Sequence, residues 1–71
     1  MKIHVDCRRV HGEDVPLGFR LGERFLRVLR VLSAGDLDGA RTYTVKTRDG
    51  REFTLSRDKS SGDWELVRAA H

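Results

Sequence analysis

The sequence predicts a mainly β domain: a small antiparallel meander or SH3-like, partly open barrel of about five strands. Two observations carry this. Glycines at 12, 18, 22, 35, 39, 50 and 62 divide the chain into short segments, the spacing expected of strands between turns. Several of those segments alternate apolar and polar residues with a period of two, the signature of a half-buried strand.

The chain has 71 residues, enough for one domain spanning 1–71. A core this small supplies about 3–5 kcal/mol of net stability and leaves no room for a deep cleft between lobes. The lone Cys7 excludes an intramolecular disulfide and suits a reducing, cytoplasmic setting. The opening MKIHVDCRRV has no apolar stretch of the kind a signal peptide carries, so none is expected. No apolar run approaches the roughly 20 residues that span a bilayer, so a membrane role is not expected.

In chain order, Lys2 to Arg8 alternates, with Ile3, Val5 and Cys7 on one face and Lys2, His4, Asp6 and Arg8 on the other. Val10 to Gly18, with the only proline at 16, reads as a loop. Phe19 to Leu21 starts a short strand, and Gly22-Glu23 reads as a turn. The clearest element is the hairpin around Arg48-Asp49-Gly50. A two-residue Asp49-Gly50 turn would oppose Val45 to Thr54 and Lys46 to Phe53. A three-residue loop opposes Val45 to Phe53, Tyr43 to Leu55, Thr44 to Thr54 and Lys46 to Glu52. Like then meets like and opposite charges meet, with Gly50 as the left-handed residue of a bulge. The same logic, with a loop at Asp58 to Gly62, sets Leu55 against Trp64 and Phe53 against Leu66. The expected core is Ile3, Val5, Phe19, Val28, Tyr43, Val45, Phe53, Leu55, Trp64 and Leu66.

The stretch GERFLRVLRVLSAG, Gly22 to Gly35, admits two readings. As a helix over 23–34 it gathers Phe25, Leu26, Val28, Leu29 and Leu32 on one arc and Glu23, Arg24, Arg27 and Arg30 on the other, with Gly35 as a C-cap. Such a helix would make the domain α+β. As a strand, a bulge near Leu29-Arg30 brings Leu26, Val28 and Val31 to one side. Against the helix stand its short length between two glycines and its lack of a good N-cap.

Read together, several pieces form one order: Phe19-Arg20-Leu21-Gly22-Glu23-Arg24-Phe25; Val28, Val31 and Leu32; Tyr43-x-Val45-x-Thr47-x-Asp49-Gly50-x-x-Phe53-x-Leu55; Asp58; and Trp64-x-Leu66. This order resembles a family of small bacterial domains of unknown function. Relatives of that family are also appended to the C-terminal end of catalytically inactive Y-family polymerase homologues of the mutagenic DNA-repair system. The resemblance spans Phe19 to Val67 and implies that the opening stretch is a strand in a small, strongly bent antiparallel sheet. Such relatives often carry a Trp after the Val-Leu pair, where this chain reads Ser33-Ala34-Gly35-Asp36-Leu37.

The formal net charge is +3, and Arg accounts for most of the fourteen basic residues. Arginine binds phosphates and carboxylates bidentately, although an arginine surplus also follows from nucleotide composition. Arg8, Arg9, Arg20, Arg24, Arg27 and Arg30 are the candidate nucleic-acid-binding residues, since arginines beside aromatic residues on strands suit single-stranded nucleic acid. The same charges would also keep a strand edge from pairing with other chains. Tyr43, Phe53 and Trp64 could stack bases if exposed, but they fall on the core face.

His4-x-x-Cys7-x-x-x-His11 has ligand residue types, but His4 and Cys7 point to opposite faces, and no second pair completes a zinc site; His71 is at the tail. Asp36-x-Asp38-Gly39 opens like a calcium loop, but Thr47 stands where the twelfth-position Glu is required, so a turn is expected. No serine or cysteine can be matched with a histidine and a carboxylate. The expectation is a non-enzymatic binding module without metal or cofactor. Its partner is single-stranded nucleic acid or, alternatively, a protein bound at a strand edge or shallow groove.

Overall fold

A computed structural model describes residues 1–70, which from Lys2 onward form strands and the short connections between them. The strands are β1 (Lys2–Val10), β2 (Glu13–Leu21), β3 (Arg24–Leu37), β4 (Ala40–Thr47), β5 (Glu52–Asp58) and β6 (Trp64–Ala70). Each pairs antiparallel with the next, and β6 returns to β1 to close a barrel. The closing seam is short, with Lys2 opposite Glu65 and Ile3 opposite Trp64.

Two sheets make up the barrel and share β1 and β3. The first rungs of β3, Arg24 to Arg27, pair with β2; from Val28 to Leu37 it pairs with β4. The ladder shifts register around Leu29 and again around Leu32. An extra residue at each point bends the strand, which lets one segment turn the corner between sheets.

The expected β class and barrel form hold, with six strands in place of about five. Val10 to Gly18 is not a loop. A two-residue turn at His11-Gly12, with φ of 50° and 80°, returns the chain at once into β2. Pro16 lies opposite Cys7 next to a register shift, on a part of β2 that pairs with β1 alone. A proline there forfeits no ladder bond on its other side. The helix over 23–34 does not form either. The helical spacing of its apolar residues lost to the unpaired edge of β4, which takes Val28 and Val31 opposite Thr47 and Val45. The bulge near Leu29 puts Leu26, Val28 and Val31 on the core side, as the strand reading required.

The three-residue loop Arg48-Asp49-Gly50 is present with the expected register from Lys46↔Glu52 to Tyr43↔Leu55. Gly50 has a φ of 88°, and its N–H donates to the Thr47 carbonyl at 3.0 Å. The β5–β6 register differs from expectation by two residues: Leu55 faces Leu66, and Arg57 faces Trp64. Asp58 stays in the ladder opposite Ala40 while its carboxylate accepts the Ser60 and Ser61 N–H groups at 2.8 and 3.0 Å. The hairpin therefore closes one residue pair further out. A slip of two preserves the faces, so Trp64 and Leu66 still point inward.

Val5, Phe19, Leu26, Tyr43, Val45, Phe53, Leu55 and Trp64 are buried, with Ile3, Leu21, Val28, Val31 and Leu66 packed against them. Every expected core residue is in this set; Leu26 is the buried addition. Phe19 and Phe53 meet edge to face with centroids 5.1 Å apart, and Tyr43 lies 5.8 Å from Trp64, separations at which aromatic pairs attract beyond their area. Tyr43, Phe53 and Trp64 are thus core. His4 faces out and Cys7 lies opposite buried Pro16, so the two do not converge; His71 lies outside the described residues.

Candidate functional site

Phe19 and Leu26 face each other inside the barrel, so the next rung, Arg20 opposite Phe25, faces out. On the other side of the Phe19–Leu26 rung, Gly18 lies opposite Arg27 and also faces out. Phe25 is 44% exposed, and its ring occupies the space above Gly18. A Cβ built on Gly18 would stand 2.4 Å from Phe25 Cζ. The glycine is thus a gap in the outer surface into which an aromatic ring settles.

Arg24, Arg27 and Arg48 line a shallow depression of about 210 Å³ beside Phe25, with Asp49 at its rim. Arg48 is fixed there by its backbone N–H, which donates to the Arg27 carbonyl at 3.0 Å. Asp49 is occupied elsewhere: it accepts from the Thr47 hydroxyl and from Arg51 Nε at 2.9 Å. The Thr47 hydroxyl, and then Arg51, hold its carboxyl below the usual carboxylate range. Arg20, Arg24, Arg27, Arg30 and Arg48 form no ion pair among the described residues. The arginines beside Phe25 thus outnumber the one carboxylate of the depression, Asp49.

The structure does not bring all six candidate arginines together. Arg20 lies opposite Phe25, and Arg27 shares its outer face; Arg24, opposite Leu21, takes the phase of buried Leu26 and lines the depression from the end of the barrel. Arg30 lies further along β3, opposite Lys46; the extra residue at Leu29 restores it to the outer face that Arg27 shares. Arg8 is opposite Val15 at the far end of β1. Arg9 turns to the end of the barrel away from Arg24 and contacts Asp14 at 3.5 Å.

That far end is a mouth lined with charge. Arg41 follows the inward phase of Tyr43 and Val45, and Arg57 that of Phe53 and Leu55. Arg57 contacts Asp14 at 3.2 Å; Arg41 contacts Glu13 at 3.2 Å and Asp36 at 3.4 Å. Lys59 reaches Asp36 at 3.0 Å, and its hydrogen bond is the chief reason that the Asp36 carboxyl lies below its ordinary range. These contacts tie β2 to β4 and β5, strands with which it shares no ladder.

Sequence reasoning missed Phe25 and Arg48. Phe25 is the aromatic residue out of phase with the strand's inward positions, buried Leu26 and partly buried Val28, a signal that is readable once the segment is known to be a strand. Arg48 is placed by the hairpin loop, and nothing in the sequence says that this loop packs against β3. No protein-family model, curated protein or solved structure matches this chain.

Proposed function

We propose that this domain is a non-enzymatic binding module that takes single-stranded nucleic acid on the outer face of β2 and β3. The observation that carries the reading is Phe25, an exposed ring seated over Gly18, opposite Arg20 and beside the depression that Arg24, Arg27 and Arg48 line, with none of these arginines in an ion pair among the described residues. An exposed ring offers one base a stacking surface regardless of sequence, and arginines beside it follow the phosphates. The strands hold Arg20, Phe25 and Arg27 more rigidly than a loop would, and a backbone hydrogen bond to Arg27 anchors the loop residue Arg48. The resemblance to domains appended to repair-system polymerase homologues supports the same class of partner. Titration of a labelled mixed-sequence oligonucleotide tests it: Phe25→Ala should weaken binding about tenfold, the worth of one stacked base. Equal affinity for the two proteins would reject this face.

A second reading rests on the barrel seam. β6 beyond Leu66 has β5 on one side and no strand on the other among the described residues, and Val67 and Met1 are exposed beside it. A protein partner could add an extended segment there, with backbone hydrogen bonds supplying affinity. Resonance shifts confined to Val67–Ala69 on adding a partner, with the Phe25 face unmoved, would favour this reading.

A further inference from the structure

The charged mouth opposite the Phe25 face has features that ion pairing alone does not use. Its cavity is about 240 Å³, and Tyr43 contributes to its lining. Each guanidinium offers five N–H donors. Arg9 and Arg57 each reach one carboxylate, the same Asp14, and Arg41 reaches two. Most of the donors at the mouth are left over. The Arg41 Nε is covered and has no acceptor, while its guanidinium carbon sits 5.6 Å from the Tyr43 ring centre. The arginine contacts to Asp14, Glu13 and Asp36 run from 3.2 to 3.5 Å, longer than good charge-assisted hydrogen bonds. Arg9, Arg41, Arg57 and Lys59 face those three carboxylates, so the mouth carries one positive charge in excess.

We infer that the mouth framed by Arg9, Arg41 and Arg57 binds a small oxyanion, a phosphate group either free or carried at the end of a larger molecule. A tetrahedral anion presents acceptors to three guanidinia at once, whereas the Asp14 carboxylate reaches two, those of Arg9 and Arg57. Arginine forks match phosphate geometry bidentately. The ring of Tyr43 beneath Arg41 limits how far that side chain can move, so the donors are partly held in place before the anion arrives. Asp14 is then a resident competitor, occupying Arg9 and Arg57 until displaced. This site is independent of the Phe25 face and stands or falls separately.

The test follows the arginine Nε–Hε and backbone amide resonances while inorganic phosphate replaces chloride at constant ionic strength. Saturable shifts at Arg9, Arg41 and Arg57 are expected. Asp14→Asn removes the competitor and should tighten phosphate binding about fivefold, while Arg57→Gln should weaken it by about as much. A purely structural ion-pair cluster gives the opposite pattern: shifts that never saturate, or an Asp14→Asn affinity equal to that of the native chain, would overturn the inference. A short oligonucleotide with a 5′-phosphate, compared with its 5′-hydroxyl twin, separates the sources. Tighter binding of the phosphorylated strand at the mouth than of inorganic phosphate assigns a terminal phosphate; weaker or equal binding assigns the free anion.

Discussion

The ring of Phe25 fills the space that a side chain on Gly18 would need, with 2.4 Å between Phe25 Cζ and a Cβ built at 18. The nearest atoms belong to the far end of an exposed side chain, so the ring can swing aside, while the Leu26 carbonyl oxygen, 3.1 Å from that Cβ, has to give slightly. Gly18→Ala should therefore fold with a stability within about 1 kcal/mol of the native chain, since lost glycine entropy in the unfolded state offsets mild crowding. Oligonucleotide affinity should fall, because the ring leaves the arginine field. Thermal unfolding and binding titration on the same sample check both halves.

Two phenylalanines should separate platform from core. Phe25→Ala removes a half-exposed ring and should cost less than about 1 kcal/mol of stability while weakening binding. Phe53, 2% exposed and packed edge to face on Phe19, is a different case. Its truncation should cost about 3–5 kcal/mol. A domain of this size has about that much in total, so Phe53→Ala should be largely unfolded at room temperature by circular dichroism.

Binding on the Phe25 face should be steep in salt. Phosphate contacts release counterions from a single strand with a logarithmic slope of about −0.7 per contact, so the four arginines Arg20, Arg24, Arg27 and Arg48 give a slope of about −3. Arg24→Gln and Arg27→Gln should each flatten that slope by about 0.7. Lys2→Gln, whose residue pairs with Asp63 on the β1–β6 side of the barrel, should leave it unchanged.

Acid should loosen the hairpins first. Asp49 is held below the usual carboxylate range by the Thr47 hydroxyl, Asp36 by Lys59, and Asp58 by the backbone N–H groups of Ser61 and Ser60. The folded chain binds these protons less readily than the unfolded chain does. The stability they contribute is complete above the unfolded value of about 4 and is lost as pH falls through the lower folded values. Urea midpoints should be flat down to about pH 5 and decline below about pH 4. Asp58→Ala should lower the neutral plateau and make the acid decline shallower.

The Arg48-Asp49-Gly50 hairpin was legible because side-chain pairing judges register directly: one choice opposes Val45 to Phe53, the other to Thr54. The β5–β6 hairpin misled by two residues because such a slip keeps Trp64 and Leu66 on the same face, leaving the turn to decide, and Asp58 serves both ladder and turn. β2 was hidden by Pro16, whose disruptive effect depends on whether a neighbour needs its missing N–H. At Gly22 to Gly35 the apolar residues satisfy a helical period, and only the waiting edge of β4 selects the strand. The arginines divide along the same line. Arg41 and Arg57 continue the inward alternation of Tyr43-Val45 and Phe53-Leu55, so their phase was readable as a charged barrel end. The meeting of Arg24, Arg27 and Arg48 around Phe25 depends on a loop packing across β3, which no local pattern encodes.

The measurement that bears most directly on the nucleic-acid reading is an amide-resolved NMR titration with a short mixed-sequence single-stranded oligonucleotide at low and moderate salt. The account predicts saturable shifts at Gly18, Arg20, Arg24 to Arg27 and Arg48 that fade as salt rises. Resonances there that stay unmoved at low salt and high oligonucleotide concentration would contradict it and leave the β6 edge as the surface to pursue.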